Sequence, residues 1–377
     1  MTETALSPQP ILAINSGSSS LKLGLFDCDT PRLRGEVEGI GQSGAHLRVT
    51  DAGGHILTEI QEPAASQEEA LTALIAVMRD HADDHPIAIG HRIVHGGPAL
   101  LEHQHITPAV LDTLAAAEHF APLHIPQSLR LIRQTEQLFP GIPQIACLDT
   151  AFHRHMPEVA RRFPLPTELD RHGIHRYGFH GLSFESLVHR LGNPLPERVI
   201  LAHLGSGSSL CALQNGVSID TSMGLTPLGG VVMATRSGDL DPGVLLYLLR
   251  SGKTTPDTLE ELLNRQAGLV ALSEGEPDMQ KLLARRSAGD RLADLAVTSY
   301  VTSVRKAIGA YAALLGGLDL LVFTGGIGEH SDEIRSLICS PIEFLGVSIA
   351  NGKVIALATE EEEQIARICL TLMNSAQ

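Results

Sequence analysis

The chain has 377 residues, of which 43% are hydrophobic, and its formal net charge is −15. This length exceeds what one hydrophobic core usually serves, so we expect two domains. A chain this acidic is unsuited to gripping nucleic acid or an anionic membrane over a broad surface, so neither is an expected partner.

The first half of the chain predicts strands that alternate with helices. Ile11–Ile14 and Leu21–Phe26 are predicted strands joined by a Gly-Ser turn. Ser66 precedes a run with helical spacing and early acidic residues, which predicts a capped helix over 66–84. The other predicted elements of this half are strands within 35–60, a strand entering a glycine turn at 87–97, a helix at 107–120, and a strand at 142–153 with Asp149 at its end.

The second half begins with another strand, turn and strand over 198–216. A strand, a glycine turn and a helix are then predicted over 319–338. The remaining predicted helices lie at 241–250, 255–266, 291–317 and 358–373.

Two stretches of the chain are partial copies of each other. ILAINSGSSSL at 11–21 and ILAHLGSGSSL at 200–210 share Ile-Leu-Ala at the start and Ser-Ser-Leu at the end. Both predict a hairpin with a Gly-Ser turn, and backbone N–H groups in such a turn can bind phosphate without help from a side chain. We therefore predict two related lobes, each with a phosphate-binding turn, that face each other across a cleft.

The cysteines and the N-terminal segment indicate a location. The five cysteines are scattered without a CxxC pair, which is typical of reduced thiols rather than of disulfides or a zinc site. The first ten residues lack a signal pattern, and no apolar run reaches the length of a membrane-spanning helix. We therefore expect a cytoplasmic protein.

Other glycine-rich and histidine-rich stretches exclude some sites and leave one open. SGKTT at 251–255 is not a phosphate-binding P-loop, because Tyr247 stands where the first glycine belongs. GSGSS at 205–209 leads into a strand and has Leu210 in place of a third glycine, which disfavours a dinucleotide site. FTGGIGEH at 323–330 fits either a nucleotide site or a plain tight turn. The 18 histidines include no HExxH pattern, so no transition-metal site is expected.

Eight short stretches resemble one enzyme family and occur in that family's order. They are ILAINSGSSSLK (11–22), GHRIVHGG (90–97), APLHIP (121–126), LDTAFH (148–153), RYGFHG (176–181), TSMGLTPL (221–228), TRSGDLDPG (235–243) and FTGGIGE (323–329). Each is weak alone, but the set spans most of the chain and resembles the acetate kinase family of carboxylate kinases.

The resemblance implies an α/β fold of the actin-like ATPase (ribonuclease-H-like) type, with two duplicated lobes and a central cleft between them. It implies an N-terminal lobe over 1–149, completed by a C-terminal helix at about 363–377, and a nucleotide-binding lobe over 150–362. It also implies direct, reversible in-line transfer of a phosphoryl group from ATP to acetate, dependence on Mg²⁺ or Mn²⁺, and a homodimer.

The resemblance also implies roles for individual residues. Phosphoryl transfer spreads negative charge over three oxygens, so cationic and hydrogen-bonding groups are needed around it. The residues that match catalytic positions of the family are Arg92, Asp149, His180 and Arg236. Those that match metal positions are Asn15, Asp149 and Glu361, with Glu362 as the alternative to Glu361. Those that match the acetate pocket are Arg92, Val94, Leu123, Phe179 and Pro227.

Further positions match the family's phosphate and nucleotide contacts. They are Ser18, Ser20, Lys22, His203, Gly205, Ser206, Gly207, Asp278, Gly325, Gly326, Ile327 and Gly328. The chain departs from the family pattern mainly among these positions and their neighbours. Ser206 and His330 stand where asparagine is usual, and Gln280 stands where an arginine is usual beside the nucleoside.

These departures keep several alternatives open. The acid could be propionate, and the phosphoryl donor could be pyrophosphate, because the nucleotide side is altered more than the transfer residues. A sugar or polyol kinase would want an aspartate base rather than paired arginines. The alternative from a different functional class is a catalytically silent paralogue that only binds nucleotide.

Overall fold

The structure is a computed structural model, which describes residues 10–17, 19–42, 44–61, 64–82 and 85–375. In chain order the strands are β1 (Pro10–Ser16), β2 (Ser20–Asp27), β3 (Thr30–Glu38), β4 (His46–Asp51), β5 (Ile56–Gln61), β6 (Ala88–Ile93), β7 (Gln104–His105), β8 (Gln144–Leu148), β9 (Arg198–Leu204), β10 (Ser208–Gln214), β11 (Val217–Thr221), β12 (Leu320–Thr324) and β13 (Val354–Ala356). The helices are α1 (Gln67–Arg79), α2 (Pro108–Ala116), α3 (Ile125–Leu138), α4 (Glu158–Arg161), α5 (Thr167–Arg171), α6 (Gly181–Leu191), α7 (Pro242–Arg250), α8 (Pro256–Glu261), α9 (Leu269–Leu272), α10 (Met279–Ser287), α11 (Arg291–Leu315), α12 (Gly325–His330), α13 (Asp332–Cys339) and α14 (Glu361–Ser375).

The chain divides into two compact units. Unit 1 contains the described residues up to Ala151, the segment Gly181–Ser186 and the described residues from Glu360 onward; unit 2 contains Phe152–His180 and Leu187–Thr359. Compared with the expected division at 149/150 and 362/363, this grouping differs by a few residues at each boundary and by the short segment Gly181–Ser186.

Unit 1 is built on an eight-stranded sheet with the order β5-β4-β3-β2-β1-β6-β8-β7. β1 pairs antiparallel with β2 and parallel with β6, which in turn pairs parallel with β8. Alternate residues of β1 serve different cores, as the two-residue period of a strand requires. Leu12 and Ile14 pack in the core that contains Leu71 and Leu74 of α1, whereas Ile11 and Ala13 pack with residues of α14.

Unit 2 is built on a five-stranded sheet with the order β11-β10-β9-β12-β13. β9 pairs antiparallel with β10 and parallel with β12, and β12 pairs parallel with β13. Its core packs α11 against the sheet, with Tyr300 fully buried among Ile200, Ala202 and Leu204. The order β3-β2-β1-β6-β8 in unit 1 therefore recurs as β11-β10-β9-β12-β13. Both partial copies form the predicted hairpin at the centre of a sheet.

Local sequence signals account for many element boundaries. The Ser66 hydroxyl accepts a hydrogen bond from the Glu69 N–H at 3.2 Å, so Ser66 caps α1 as predicted. The helix ends at Arg79, earlier than the expected 84. The prediction of a glycine turn between β12 and the next helix is wrong, because helix α12 already begins at Gly325, directly after β12. Among the helices of the described residues, none combines the length and apolar character needed to cross a membrane.

Candidate active site

Four polar residues of unit 1 are brought together by strand ends and a helix start. Asn15 lies near the end of β1, Arg92 near the end of β6, and Asp149 directly after β8. Because these three strands are parallel neighbours, their carboxyl ends lie at one edge of the sheet, where α/β proteins commonly bind ligands. Glu361, the first residue of α14, joins them there.

Arg92 is the centre of this cluster. Its Nε and Nη2 donate to Oδ2 of Asp149 at 2.9 and 2.7 Å, and its Nη1 donates to Oδ1 of Asn15 at 3.2 Å. Asn15 Nδ2 donates to Oε2 of Glu361 at 2.9 Å and to Oε1 of Glu362 at 2.7 Å. The carboxylate of Glu361 also lies 3.9 Å from Arg92 Nη1. Glu361, which the sequence favours over Glu362 as the metal ligand, therefore faces the arginine.

Burial and charge act against each other in this cluster. Burial alone would lower the pKa of Arg92, but Asp149 and Glu361 raise it, so the guanidinium stays charged. Burial raises the pKa of the Asp149 carboxyl, Glu361 raises it further, and Arg92 opposes both. One fixed cation therefore faces two carboxylates that repel each other.

The donor set fits a hard divalent cation. Asp149 Oδ1 is buried and has no well-formed hydrogen bond among the described residues. The nearby Leu182 N–H lowers the pKa of the Asp149 carboxyl and so favours its charged form. Within the described part of the chain, no group of three or more His, Cys, Asp or Glu side chains could hold a metal by itself. One or two carboxylates completed by water and phosphate oxygens are the usual Mg²⁺ environment, whereas zinc needs a fuller protein cage.

The first Gly-Ser turn lies beside this cluster in unit 1. The Gly17 N–H donates to the Ser20 carbonyl at 2.8 Å, and the Gln67 side chain donates to the Gly17 and Ser20 carbonyls at 3.1 and 3.2 Å. For Lys22, burial would lower the pKa, but Glu362 and other nearby carboxylates raise it, so its ammonium is firmly charged. The predicted phosphate residue Ser18 lies outside the described residues.

His180 is the most constrained of the predicted catalytic residues in unit 2. It precedes α6 and has a φ of 59°, in the left-handed region that residues other than glycine seldom adopt. Its Nδ1 lies 2.8 Å from Oγ of Ser209, and its ring stacks on that of His203 with centroids 4.2 Å apart. The imidazole is therefore held both by a hydrogen bond and by stacking.

The β9–β10 turn of unit 2 brings Arg236 and His180 to the same backbone. A Cβ on Gly207 would lie 3.3 Å from Nε2 of His180 and 3.6 Å from Nη1 of Arg236. Nη1 of Arg236 also donates to the Pro227 carbonyl at 3.3 Å. Because Gly207 has no side chain, both side chains can approach the turn.

The second glycine segment lies against the same turn. Gly325 has a φ of 76°, and a Cβ there would lie 2.7 Å from the Leu204 carbonyl oxygen and 3.2 Å from Nε2 of His203. A Cβ on Gly205 would lie 3.8 Å from the Gly326 nitrogen. The structure thus brings His203, Gly205, Gly325 and Gly326 together, with Ser206 exposed at the tip of the turn.

The other predicted nucleotide residues lie in helix α12 or at the start of helix α10. Ile327 and Gly328 are in α12, where the Gly328 carbonyl accepts a hydrogen bond from Nη1 of Arg335 at 2.6 Å. Asp278 caps α10, because its Oδ1 accepts from the Lys281 N–H at 2.9 Å. Asp278 therefore has a structural role as a helix cap, and its contact with a nucleotide stays a prediction.

The predicted acetate-pocket residues belong to both units. Val94 and Leu123 are in unit 1, where Val94 is half-buried and Leu123 is exposed. Phe179 and Pro227 are in unit 2, where Phe179 is almost fully buried and Pro227 is half-buried. A pocket formed by these side chains stays a prediction.

Sequence reasoning missed three side chains that hold the site in place. Ser209 bonds the His180 ring, and His153 bonds the Phe179 carbonyl through Nε2 at 3.2 Å. Glu329 Oε1 accepts hydrogen bonds from the Gly325 N–H at 2.9 Å and the Thr359 N–H at 3.1 Å. Both Glu329 and His153 stand inside motifs quoted above, which was the available signal. The Phe179 partner of His153 and the Thr359 partner of Glu329 are distant in sequence, whereas Gly325 is only four residues from Glu329.

Comparison with known proteins supports the resemblance. The model of the acetokinase family matches residues 10–368. An acetate kinase from Rhodopseudomonas palustris (strain ATCC BAA-98 / CGA009) is 42% identical over 351 residues, which cover 90% of this chain and 87% of that protein. A propionate kinase from Citrobacter rodentium is 40% identical over 377 residues, which cover 97% of this chain and 93% of that protein.

Solved structures agree with this match. An acetate kinase from Porphyromonas gingivalis superposes with a TM-score of 0.85 at 34% identity, and a propionate kinase from Francisella tularensis with a TM-score of 0.88 at 34% identity. Each alignment covers 97% of this chain and 100% of the solved chain. The predicted α/β fold of the actin-like ATPase type is thereby confirmed.

Proposed function

The chain belongs to the acetokinase family, whose members are phosphotransferases with a carboxylate acceptor, and from this premise we propose that it transfers the γ-phosphoryl group of ATP to acetate. A carboxylate oxygen of acetate forms a bond to the γ-phosphorus as the bond between that phosphorus and the leaving oxygen of ADP breaks. The products are acetyl phosphate and ADP, and no proton needs to move because acetate is already an anion.

The observation that carries this proposal is the fixed position of Arg92. Its three hydrogen bonds to Asp149 and Asn15 hold the guanidinium rigidly, and the neighbouring carboxylates keep it charged. Bringing acetate and a phosphate group together requires such a cation, since both reactants are negative. A planar guanidinium also matches the geometry of a carboxylate or a phosphate.

His180 and Arg236 are the proposed partners of the transferring phosphoryl group in unit 2. The ring of His180 is fixed by Ser209 and His203, and Nη1 of Arg236 approaches the same Gly207 backbone. Groups fixed before the reaction stabilise developing charge without the cost of reorganising at the transition state. The glycine segments at 205–207 and 325–328 are the proposed nucleotide phosphate contacts.

Mg²⁺ or Mn²⁺ is the proposed cofactor. Asp149 and Glu361 would hold the cation, with Asn15 beside them, and the buried Oδ1 of Asp149 supports this assignment. When bound, the cation would neutralise phosphate oxygens of the nucleotide. The residues Asn15 and Arg92 keep the two carboxylates apart and oriented through their own hydrogen bonds.

Acetate is preferred over propionate as the acceptor in this proposal, and ATP over pyrophosphate as the donor. Relatives named for either acid match the chain at similar identity, so propionate is the second candidate. One extra methylene in an apolar pocket changes selectivity by only about 1–3 kcal/mol. The exposed Gln280, which replaces the arginine usual in the family, is the reason to test pyrophosphate.

A matrix of donors and acceptors tests the proposal. Purified protein with Mg²⁺ is assayed for acyl phosphate, trapped as the hydroxamate, with acetate, propionate or butyrate against ATP, GTP or pyrophosphate. The variant Arg236→Ala supplies the background. We expect kcat/KM to be highest for ATP with acetate, by about ten-fold over propionate. Preference for propionate, or activity with pyrophosphate alone, would replace the corresponding substrate, and silence of folded protein would favour the nucleotide-binding paralogue.

The proposal also includes a homodimer and a cytoplasmic location. Helix α7 has no buried residue, and Val244, Leu246, Tyr247 and Leu249 on it are all exposed apolar side chains. A helix of this composition normally buries one face, so we propose that it packs in a homodimer. All five cysteines are free thiols, which supports a cytoplasmic location.

A further inference from the structure

A second histidine lies directly behind His180 in unit 2. His153 is 2% exposed, and its ring lies between the Ser218 side chain and the Phe179 backbone. Nδ1 lies 2.9 Å from Oγ of Ser218, and Nε2 lies 3.2 Å from the carbonyl oxygen of Phe179. Cys211 Sγ lies 3.3 Å from the same Ser218 hydroxyl and 3.9 Å from Nδ1 of His153.

The partners of the His153 ring assign its proton. The Phe179 carbonyl oxygen can only accept a hydrogen bond, so Nε2 of His153 carries the hydrogen and donates. Nδ1 is then an acceptor, and the Ser218 hydroxyl donates to it while accepting from the Cys211 thiol. Burial lowers the pKa of His153 to about 4, with Arg176 contributing, so the ring is neutral near pH 7 and keeps this arrangement.

This hydrogen bond is made directly before a strained residue of the backbone. The Phe179 carbonyl and the His180 N–H belong to one rigid peptide plane, so holding the carbonyl restricts the rotation about the following N–Cα bond. That rotation is the φ of 59° at His180, a left-handed value that costs free energy and persists only where the surroundings impose it.

The fit of the His153 ring against the preceding glycine adds to this constraint. Gly178 has a φ of 78°, and a Cβ there would lie 2.5 Å from Cδ2 of His153 and 2.5 Å from Cγ2 of Thr221. The ring is therefore packed against the backbone at Gly178 while it bonds the carbonyl of the next residue, Phe179. His153 therefore contacts the backbone at Gly178 and at Phe179, directly before His180.

We propose that His153 is a positioning residue for phosphoryl transfer, which holds the Phe179 carbonyl and thereby presents the His180 imidazole to the reacting phosphoryl group. This inference rests on the proposed function, in which His180 contacts that group. Ser209 orients the ring of His180, and His153 orients the backbone from which the ring extends. Ser218 and Cys211 fix His153 in turn.

Two substitutions of His153 separate the hydrogen bond from the packing. His153→Gln keeps a nitrogen donor at about the reach of Nε2, whereas His153→Leu fills similar space without a donor. We expect kcat to fall about thirty-fold in His153→Leu and less than about three-fold in His153→Gln, with the KM for ATP unchanged, because small misplacements of a catalytic group cost up to about a hundred-fold. The ¹⁵N chemical shifts of the His180 ring should move in His153→Leu.

Matched variants keep the test decisive. His175→Leu removes another buried ring of unit 2, one stacked on Tyr177, and should leave kcat within about two-fold. If His153→Leu does not fold, Ser218→Ala releases Nδ1 and should lower kcat several-fold.

Two outcomes separate this inference from the proposed function. Normal kcat in His153→Leu or Ser218→Ala, combined with loss of activity in His180→Ala, would overturn the positioning role alone, as would equal losses in the Gln and Leu variants. Normal kcat in His180→Ala would instead remove the proposed role of His180 itself.

Discussion

Arg92 combines a structural and a catalytic requirement in one side chain. It neutralises Asp149, which is almost fully buried, and it also bonds Asn15, which contacts Glu361. Removing one partner of a buried ion pair usually costs about 3–5 kcal/mol, because the other charge is left without compensation. A loss of activity after removal of Arg92 could therefore reflect either stability or chemistry.

The variant Arg92→Lys separates these two requirements. Lysine keeps the positive charge beside Asp149 but cannot make the three hydrogen bonds of the planar guanidinium. We expect the free energy of unfolding to fall by about 1–2 kcal/mol, while kcat falls about a hundred-fold or more. Steady-state rates and urea unfolding measure both quantities. Arg130→Lys, at an exposed ion pair with Glu68, is the control, and a near-normal kcat in Arg92→Lys would mean that charge alone suffices.

At the scale of elements, the junction between β12 and α12 carries a backbone constraint that only glycine satisfies. Gly325 combines its left-handed φ with contact to the Leu204 carbonyl, and its N–H is held by the Glu329 carboxylate. Any side chain at this position must therefore push β12 and the β9–β10 turn apart.

The variant Gly325→Ala tests whether this junction shapes the nucleotide site. The left-handed backbone and the clash should together lower the free energy of unfolding by about 2–3 kcal/mol and raise the KM for ATP more than the KM for acetate. Thermal unfolding and initial rates with each substrate varied provide the measurements. Gly309→Ala, in α11 with open space around it, should be neutral or slightly stabilising. Equal changes in both KM values would argue against a local effect on nucleotide binding.

The elements also explain which parts of the fold the sequence could predict. The two hairpins and the cap at Ser66 depend on local patterns, and all three form as expected. The sequence predicts a glycine turn where α12 begins, because glycines disfavour helices and the hydrogen bond from the Gly325 N–H to the Glu329 carboxylate is seen only in the folded backbone. The sequence pattern predicts no element at the positions of α3, α6 or α10.

The same distinction holds for the candidate site. Asn15 and Asp149 stand at strand ends that the pattern already predicts, and Arg92 stands within a predicted strand, so their meeting at one edge of the unit 1 sheet follows from the parallel pairing. The partners of His180 and His153 could not be predicted in this way. Ser209 and Ser218 are separated from them by long stretches of chain, and only the packed unit 2 brings these side chains into contact.

At the scale of the whole molecule, the apolar surface of α7 requires an explanation that a single chain does not provide. Tyr247 and Leu246 are 61% and 50% exposed, and Leu240 just before the helix is also exposed. Water contact with this much neighbouring apolar surface is unfavourable, and homo-oligomers with two-fold symmetry commonly bury such a patch against its own copy.

The variant Leu246→Glu tests the homodimer through this helix. Placing a carboxylate at the centre of a two-fold interface brings two like charges together in an apolar environment, so association should weaken strongly. Light scattering should give a mass of about 80 kDa for the unmodified protein, twice the 40.2 kDa of one chain, and a mass near one chain for Leu246→Glu. Val159→Glu adds the same charge at an apolar residue that is 88% exposed on α4, and it should leave the mass unchanged. A dimer that survives Leu246→Glu would place the interface elsewhere, and an unmodified protein with the mass of one chain would rule the homodimer out.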